Sequence, residues 1–335
     1  MTGESPARMQ GASVRVTGVV QGVGFRPFVF GLARRFSLSG LVRNTSAGVE
    51  IEIDGTPESL EAFEAALRAD APPLARLDSI RIERRAADGH AGFRILESQS
   101  VAGAFQPVSP DVGVCGDCLR ETFDPSDRRY RYPFTNCTNC GPRYTIINDI
   151  PYDRPNTTMA GFALCPACAA EYEDPLDRRF HAQPVACPEC GPHVWLEAEG
   201  QGVQAGEAGL QAARALLARG GILAVKGLGG FHLACDATSP AVVSRLRERK
   251  RRVDKAFAVM VADLAEAERH GVLDDTARHL LQSVERPIVI VGRRPGSNVA
   301  EAVAPGQRTL GLMLPYTPLH HLLMEPGEGV PRALV

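Results

Sequence analysis

The sequence predicts an α+β protein of several domains, in which a ferredoxin-like βαββαβ domain, a pair of four-cysteine zinc ribbons and an α/β domain follow one another. Strand and helix periods alternate through the first hundred residues, eight of the nine cysteines repeat one spacing, and a new α/β pattern starts after a glycine-rich stretch. A chain of 335 residues that is 44% hydrophobic and 23% charged is long enough for about two or three such domains.

The elements of the first domain, residues 1–98, follow from the spacing of its apolar residues. Helices are expected behind Pro27, which stands in a first turn, and after the cap Thr56-Pro57. Alternating apolar and polar residues predict strands at residues 14–20, 39–44, 49–53, 77–84 and 92–96. The order β-α-β-β-α-β is that of a split βαβ sandwich.

The junction between the first strand and the first helix is a candidate phosphate cradle. It reads Gln21-Gly22-Val23-Gly24-Phe25-Arg26. Two glycines allow successive backbone N–H groups to converge on an anion at a helix N-terminus, and Arg26 adds a planar cation. A Gly-x-Gly sequence is also common in purely structural turns, because glycine adopts backbone angles that other residues avoid.

The cysteines form a C-x2-C-x18-C-x2-C unit that occurs twice, 50 residues apart, within a region spanning residues 114–196. The two units consist of Cys115, Cys118, Cys137 and Cys140, and of Cys165, Cys168, Cys187 and Cys190. Two CxxC knuckles supply the four thiolates of a tetrahedral shell, which predicts two zinc ions in structural sites. The flanking residues repeat with the cysteines, which favours one site within each repeat over sites formed across repeats.

Other roles for these cysteines agree less well with the pattern. A disulfide framework is typical of secreted proteins, and residues 1–13 contain no apolar signal-peptide core, so we expect a cytoplasmic protein. A thioredoxin-like redox role does not explain four copies in register. Because the thiolates complete each shell, His181 and His193 are expected to be bystanders, and Cys235 to pack as a small buried hydrophobe.

The charge pattern gives little support for nucleic-acid binding, since the formal net charge is -2. Aromatic and basic residues interleave between residues 128 and 144, as they do in readers of single-stranded nucleic acid. The same pattern is typical of the small core and outer face of a zinc ribbon. No apolar run reaches the roughly 18 residues that a membrane-spanning helix needs.

The third domain is predicted over residues 206–335, after a linker at residues 99–113 that has no clear period. Helices are expected at 208–219 and 240–250, and strands at 222–225 and 256–261. The glycines that follow Lys226 match neither phosphate-loop fingerprint. The cations between residues 250 and 255 form either a solvated surface or a grip for a triphosphate.

Longer stretches of sequence carry resemblances to known families. Residues 16–26, followed by residues 40–44 and 48–50, closely resemble the acylphosphatase signature. That resemblance implies that Arg26 binds the phosphoryl group, that Asn44 orients the attacking water, and that the backbone amides of the loop stabilise charge. An acyl phosphate is already activated, so positioning and charge stabilisation suffice without a metal or a protein nucleophile.

A second resemblance, to YrdC-like domains, lies in residues 224–237, 250–260, 286–289 and 314–321. Relatives of that domain bind ATP and make carbamoyl-type adenylates. The resemblance implies nucleotide contacts from Lys226, Lys250, Arg251, Arg252 and Lys255. The family tends to have proline where this chain has Ala256, a departure that loosens the entry to a strand without removing a ligand.

The three domains in this order resemble the HypF family, the carbamoyltransferases of nickel–iron hydrogenase maturation. In that family the first domain dephosphorylates carbamoyl phosphate, and the YrdC-like domain joins the carbamate to AMP from ATP. A further domain passes the carbamoyl group to the C-terminal cysteine of a partner maturation protein, HypE. The resemblance implies ATP and carbamoyl phosphate as substrates, with Mg²⁺, and it implies that the chain is an N-terminal fragment with a truncated YrdC-like domain.

A rival interpretation is a zinc-ribbon and YrdC-like protein that binds nucleic acid or modifies transfer RNA. The acyl-phosphate signature separates the two interpretations, because an RNA-binding module has no use for it. Since a complete thiolate shell stabilises a fold and binds no substrate, Cys137→Ser is expected to release one zinc ion without altering the chemistry at Arg26.

Overall fold

The computed structural model describes residues 9–99, 107–198, 200 and 202–335. The chain divides into two compact units, of which the first holds Met1–Asp111 and Asn136–Ala186 and the second holds Val112–Thr135 and Cys187–Val335. Residues 100–106 of the predicted linker lie outside the described residues. Helix lengths and hydropathies in the described part of the chain leave no candidate for a membrane-spanning helix.

The first domain has the predicted order of strands and helices. Its elements are β1 (Gln10–Val19), α1 (Phe25–Arg35), β2 (Ser39–Thr45), β3 (Gly48–Gly55), α2 (Pro57–Ala69), β4 (Arg76–Ala86) and β5 (Phe93–Ile95). They form one sheet in the order β4-β1-β3-β2-β5, antiparallel except for the β2–β5 pair. Val16 and Ile51 from the sheet share a buried core with Val29 and Phe63 from the helices. Thr56 caps α2 as expected, because its Oγ1 accepts a hydrogen bond from the backbone N–H of Ser59 at 3.2 Å.

Each cysteine repeat contains one short helix, α3 (Gly116–Phe123) in the first and α4 (Pro166–Glu173) in the second. Both helices begin immediately after the first cysteine of their repeat. In both repeats an aspartate then stabilises the same turn, since Asp127 accepts from the N–H of Arg129 and Asp177 from that of Arg179, each at 2.7 Å. The duplication therefore extends from the sequence to the backbone of the two repeats.

The remaining elements build the third domain, and the predicted helices and strands all occur close to their predicted positions. They are β6 (Trp195–Ala198), β7 (Gly202–Ala205), α5 (Gly206–Ala218), β8 (Leu223–Gly227), β9 (Gly230–Ala234), α6 (Pro240–Arg249), β10 (Ala258–Val261), α7 (Leu264–His270), β11 (Gly271–Val272), α8 (Asp275–Gln282), β12 (Val289–Arg293), β13 (Thr309–Met313), α9 (Pro318–Leu323) and β14 (Ala333–Leu334). The main sheet has the order β11-β12-β13-β10-β14, and β6–β7 and β8–β9 are hairpins.

In the core of the third domain, α6 and α8 pack against this sheet. Leu246 and Leu281 from the helices share one buried cluster with Val259 and Leu312 from the strands. Cys235 is fully buried in the same core, as the sequence predicts for a small hydrophobe. Burial raises the pKa of its thiol to about 12, so this cysteine is an unreactive thiol at neutral pH.

Candidate functional sites

The loop between β1 and α1 has the backbone geometry of an anion cradle. Gly22 and Gly24 have φ angles of 72° and 75°, which other residues rarely adopt, and Gly24 is the N-cap of α1. Gln21 fixes the start of the loop, because its side-chain Nε2 donates to the backbone carbonyls of Thr45 and Gly48 at 2.8 and 3.2 Å. Arg26 follows in the first turn of the helix. The candidate phosphate-binding residues 21–26 are therefore presented together at a helix N-terminus.

Arg26 and Asn44, the two candidate catalytic residues, are brought together. With the Asn44 amide oriented so that its oxygen faces the guanidinium, that oxygen lies 3.2 Å from Arg26 Nε and 3.3 Å from Nη2. Arg26 Nη1 donates to Ser98 Oγ over a longer 3.4 Å, and Nη2 donates to Asp153 Oδ1 at 2.7 Å. The guanidinium is largely buried, with 8% of the side chain exposed. Its cation is thus oriented and desolvated before any anion binds.

The segment between Asn136 and Ala186 completes this site. A small cavity of about 20 Å³ at Arg26 is lined both by residues of the loop and by residues of this segment. The contributing residues of the segment are Thr138, Arg143, Tyr152, His181, Ala182, Gln183 and Pro184. A Cβ on Gly22 would lie 3.0 Å from Arg143 Cδ and 3.2 Å from Tyr152 Cε1. The positive φ angle therefore favours glycine at position 22, and a larger residue would also press on the side chains of Arg143 and Tyr152.

Arg143 joins the first cysteine repeat to the loop at residues 21–26, called the phosphate loop below after its predicted role. Its side chain makes five hydrogen bonds, all to backbone carbonyls: Nε donates to Gly22, Nη1 to Cys140 and Pro142, and Nη2 to Cys137 and Thr138. The residue is 1% exposed. Since a guanidinium has five N–H donors, this one is fully used. The knuckle Cys137–Cys140 and the loop at Gly22 are consequently held by one side chain.

His181 lies at the same cavity with its ring packed against Tyr172 and Phe180, at centroid distances of 5.0 and 4.6 Å. Burial, with a further contribution from the charge of Arg26, lowers the pKa of His181 to about 4. The imidazole is therefore neutral at physiological pH and adds no positive charge to the anion site. His181 lies outside both groups of four cysteines, and nothing in the sequence indicated that it lines the Arg26 cavity.

The eight repeat cysteines form two groups of four, one per repeat. In each group the four sulfurs lie within 4.8 Å of one another, and the distances Cys137 Sγ–Cys140 Sγ and Cys187 Sγ–Cys190 Sγ are both 3.8 Å. Tetrahedral zinc with Zn–S bonds of about 2.3 Å requires S–S distances of about 3.8 Å, whereas a disulfide requires about 2.05 Å. The donor set and its geometry fit zinc, with the pairing within repeats that the flanking sequence favoured.

The candidate nucleotide-binding cations have different surroundings in the structure. Lys250, Arg251 and Lys255 are exposed, and Arg252 instead stacks on Phe257, 4.8 Å from the ring centroid. Lys226 is exposed on β8 and lies over the ring of Phe231 at 5.6 Å. In the described residues, no hydrogen bond, ion pair or ring contact joins Lys226 to residues 250–255. Nucleotide binding by these five residues remains a prediction.

Arg247, which the sequence did not single out, organises this basic segment. Its Nη1 donates to the carbonyls of Arg252, Val253 and Lys255 at 2.9 to 3.2 Å, and its Nε donates to Ala302 at 2.9 Å. Burial lowers the pKa of Arg247, and the nearby charge of Arg252 lowers it further. The loop that presents the other cations is thus closed around one guanidinium.

Three family models match successive parts of the chain. The acylphosphatase model matches residues 12–95, the HypF finger model matches residues 114–147 and 164–197, and the Sua5, YciO and YrdC model, described as telomere recombination, matches residues 215–330. These matches confirm the predicted fold class, with an acylphosphatase domain, paired zinc fingers and a YrdC-like domain.

Whole-chain relatives carry the same combination. Carbamoyltransferase HypF2 of Cupriavidus necator is 55% identical over 325 residues, which are 96% of this chain and 40% of that protein. The crystal structure of full-length HypF in its phosphate- and nucleotide-bound form has a TM-score of 0.91 and 44% identity, over 99% of this chain and 43% of that one. The acylphosphatase of Salinibacter ruber is 42% identical over 85 residues, 25% of this chain and 88% of that enzyme. The chain spans about two fifths of the length of the HypF relatives.

Proposed function

The chain belongs to the HypF family of carbamoyltransferases, and from this premise we propose that its first domain hydrolyses carbamoyl phosphate at the Arg26 site. The observation that carries the proposal is the convergence of Arg26, Asn44 and the positive-φ glycines Gly22 and Gly24 at the start of α1. These are the groups that the acylphosphatase resemblance assigns to catalysis. Carbamoyl phosphate is a small mixed anhydride, so a site that positions it and stabilises charge is sufficient.

In the proposed reaction, the loop amides and the guanidinium of Arg26 bind the phosphoryl oxygens. Asn44 orients a water molecule in line with the scissile bond, and attack on phosphorus releases phosphate and carbamate. The transition state spreads negative charge over the phosphoryl oxygens, where the donors are already in place. Hydrolysis needs no protein nucleophile, and His181 supplies no proton because its imidazole is neutral.

The later steps belong to the same proposal. The YrdC-like domain joins carbamate to AMP with loss of pyrophosphate from ATP, assisted by Mg²⁺, and the carbamoyl group then passes to a HypE-type partner during hydrogenase maturation. The domain order and the names of the relatives support these steps. The two zinc ions, when bound, are structural: they hold the cysteine repeats and supply no reactive centre. A cytoplasmic location fits cysteines kept as thiolate ligands in a reducing compartment.

A phosphate-release assay with carbamoyl phosphate and acetyl phosphate tests the proposal on the whole 335-residue chain. Arg26→Ala should lower turnover by at least about a hundredfold, because it removes the one side-chain cation of the loop. Asn44→Ala should also lower turnover by orders of magnitude while leaving phosphate affinity nearer to normal. The matched control is Arg35→Ala on the same helix, since Arg35 is exposed and its contacts in the described residues are an ion pair with the exposed Asp70 at 3.1 Å and the ring of Phe36 at 5.0 Å.

The control variant should keep the wild-type rate. Wild-type turnover by Arg26→Ala would contradict the proposed site, and wild-type turnover by Asn44→Ala would contradict the role of Asn44 alone.

A further inference from the structure

Asp153 makes the closest contact to Arg26 within the described residues. Its Oδ1 lies 2.7 Å from Arg26 Nη2, whereas the contacts of Arg26 to Asn44 and Ser98 measure 3.2 to 3.4 Å. The carboxylate is 22% exposed and the guanidinium 8%. An ion pair this short and this shielded from water is much stronger than a surface pair.

The chain presents the Asp153 carboxylate rigidly. The N–H of Tyr152 donates to Gln21 Oε1 at 3.0 Å, and the N–H of Arg154 donates to Gln183 Oε1 at 2.7 Å. The Arg154 side chain adds hydrogen bonds of 2.7 to 2.9 Å to three backbone carbonyls. The backbone is therefore fixed on both sides of Asp153, and one of the two fixing side chains belongs to the phosphate loop itself.

The side chain of Asp153 contacts Arg26 and does not cap the helix that follows it. It is the N-cap of the short 3-10 helix Arg154–Asn156, a position where an aspartate normally accepts a hydrogen bond from the helix. Its side chain makes no such capping bond. By contrast, Thr157 at the next N-cap accepts from the N–H of Met159 at 3.1 Å.

We propose that Asp153 is a positioning residue of the acyl-phosphate site: it holds the Arg26 guanidinium in its binding orientation and offsets part of its charge, so that phosphoryl groups bind and leave readily. The proposal rests on the proposed hydrolysis at Arg26. Pairing avoids the cost of a buried unpaired cation in the free enzyme. It also places one negative charge next to the bound phosphate, which weakens binding of substrate and product alike. At Nη1, the other terminal nitrogen of the guanidinium, the hydrogen bond found among the described residues is the long one to Ser98.

Two substitutions separate the geometric effect from the charge effect. Asp153→Asn keeps the size and an acceptor oxygen at the position of Oδ1 but removes the charge. Asp153→Ala removes both. The matched control is Asp149→Asn, four residues earlier on the same segment. Asp149 is exposed, and among the described residues its side chain accepts a hydrogen bond from the N–H of Ile150 alone.

The measurements are kcat and KM for carbamoyl phosphate and the competitive inhibition constant of inorganic phosphate. Asp153→Asn should tighten phosphate inhibition several-fold, on the order of tenfold for removal of a nearby like charge at a partly shielded site, with kcat within about threefold of wild type. Asp153→Ala should lower kcat by at least about tenfold, because the guanidinium loses its fixed orientation. A purely structural role would leave phosphate affinity in Asp153→Asn unchanged.

An unchanged or weaker affinity for phosphate in Asp153→Asn would overturn the charge role, and a wild-type kcat in Asp153→Ala would overturn the positioning role. If Asp153→Ala fails to fold, the near-isosteric Asp153→Asn still decides the charge role, and retained zinc content reports its folding. If the wild type does not hydrolyse carbamoyl phosphate, the proposed function fails instead. Calorimetric titration of wild type and Asp153→Asn with inorganic phosphate would then still test the role of Asp153.

Discussion

Replacement of Arg143 by methionine is the sharpest test of whether the cysteine repeat supports the proposed acyl-phosphate site. Methionine fills much of the aliphatic volume of arginine but has no N–H groups. The change removes five hydrogen bonds at once, to the carbonyls of Gly22, Cys137, Thr138, Cys140 and Pro142. These carbonyls come from both the phosphate loop and the zinc knuckle, so both lose a common anchor.

The expected magnitude follows from the burial of Arg143. A hydrogen bond from a charged donor contributes about 1.5 to 3 kcal/mol, but five bonds from one side chain are not additive, and water can reach some of the carbonyls. We expect a loss of about 4 kcal/mol in the free energy of unfolding, in the range found when a buried charged partner is removed. Because Gly22 is no longer fixed, a displacement of the loop by about 1 Å should lower kcat by about 10- to 100-fold.

Two measurements are combined. Unfolding in guanidinium chloride is monitored by circular dichroism, and turnover is measured as phosphate release from carbamoyl phosphate. His193 offers a matched control, because Gly191-Pro192-His193 repeats Gly141-Pro142-Arg143 and His193 is exposed. His193→Met should change neither property. If Arg143→Met kept the wild-type kcat and denaturation midpoint, the inferred coupling of repeat and loop would be refuted.

Two further predictions concern zinc and pH. Cys137→Ser should release one zinc ion and also lower carbamoyl phosphate turnover, because the carbonyl of Cys137 anchors Arg143. The control Cys235→Ala should keep both zinc ions. Normal turnover by zinc-depleted Cys137→Ser would contradict the inferred link between the zinc knuckle and the loop. Burial, with smaller contributions from His232 and His321, lowers the pKa of His320 from 6.5 to about 3. The unfolded chain therefore takes up a proton below about pH 6.5 that the folded protein does not, and stability falls as the pH drops. Between pH 7 and 5 this proton uptake lowers the free energy of unfolding of the wild type by about 2 kcal/mol. For His320→Asn, the free energy of unfolding should therefore fall by about 2 kcal/mol less over the same pH range. For the control His279→Asn, at an exposed position, it should fall as it does in the wild type. An identical pH dependence for His320→Asn and wild type would count against the buried neutral histidine.

The contacts of Arg143 lead us to predict a different outcome from the one expected from the sequence. A complete thiolate shell suggested that loss of zinc would leave the chemistry at Arg26 untouched. The contacts of Arg143 favour the opposite outcome, since the same side chain binds the knuckle at Cys137 and Cys140 and the loop at Gly22. A structural metal can affect catalysis whenever the fold that it stabilises also forms a wall of the site.

The features that the sequence predicted well are those set by local spacing. The strands and helices of the first domain follow from apolar periods of a few residues, and the two thiolate groups follow from CxxC knuckles. Asp153 and Arg143 could not be found in this way, because they lie 127 and 121 positions from the loop residues they contact. The cations between residues 250 and 255 show a different limit of sequence analysis. A basic run is easy to find in the sequence, but the sequence does not specify which of its members bind a ligand.

The two copies of the repeat share one backbone but make different contacts. Arg131 and His181 occupy equivalent positions, and both adopt positive φ angles, 57° and 53°. Arg131 forms ion pairs with Glu207 and Glu325, whereas His181 lines the cavity at Arg26. Once a metal secures the backbone of a tandem copy, the loops between its ligands are free to diverge. An exchange of the two loops between the copies should therefore preserve metal loading but remove both the ion pairs of Arg131 and the contribution of His181 to the cavity at Arg26.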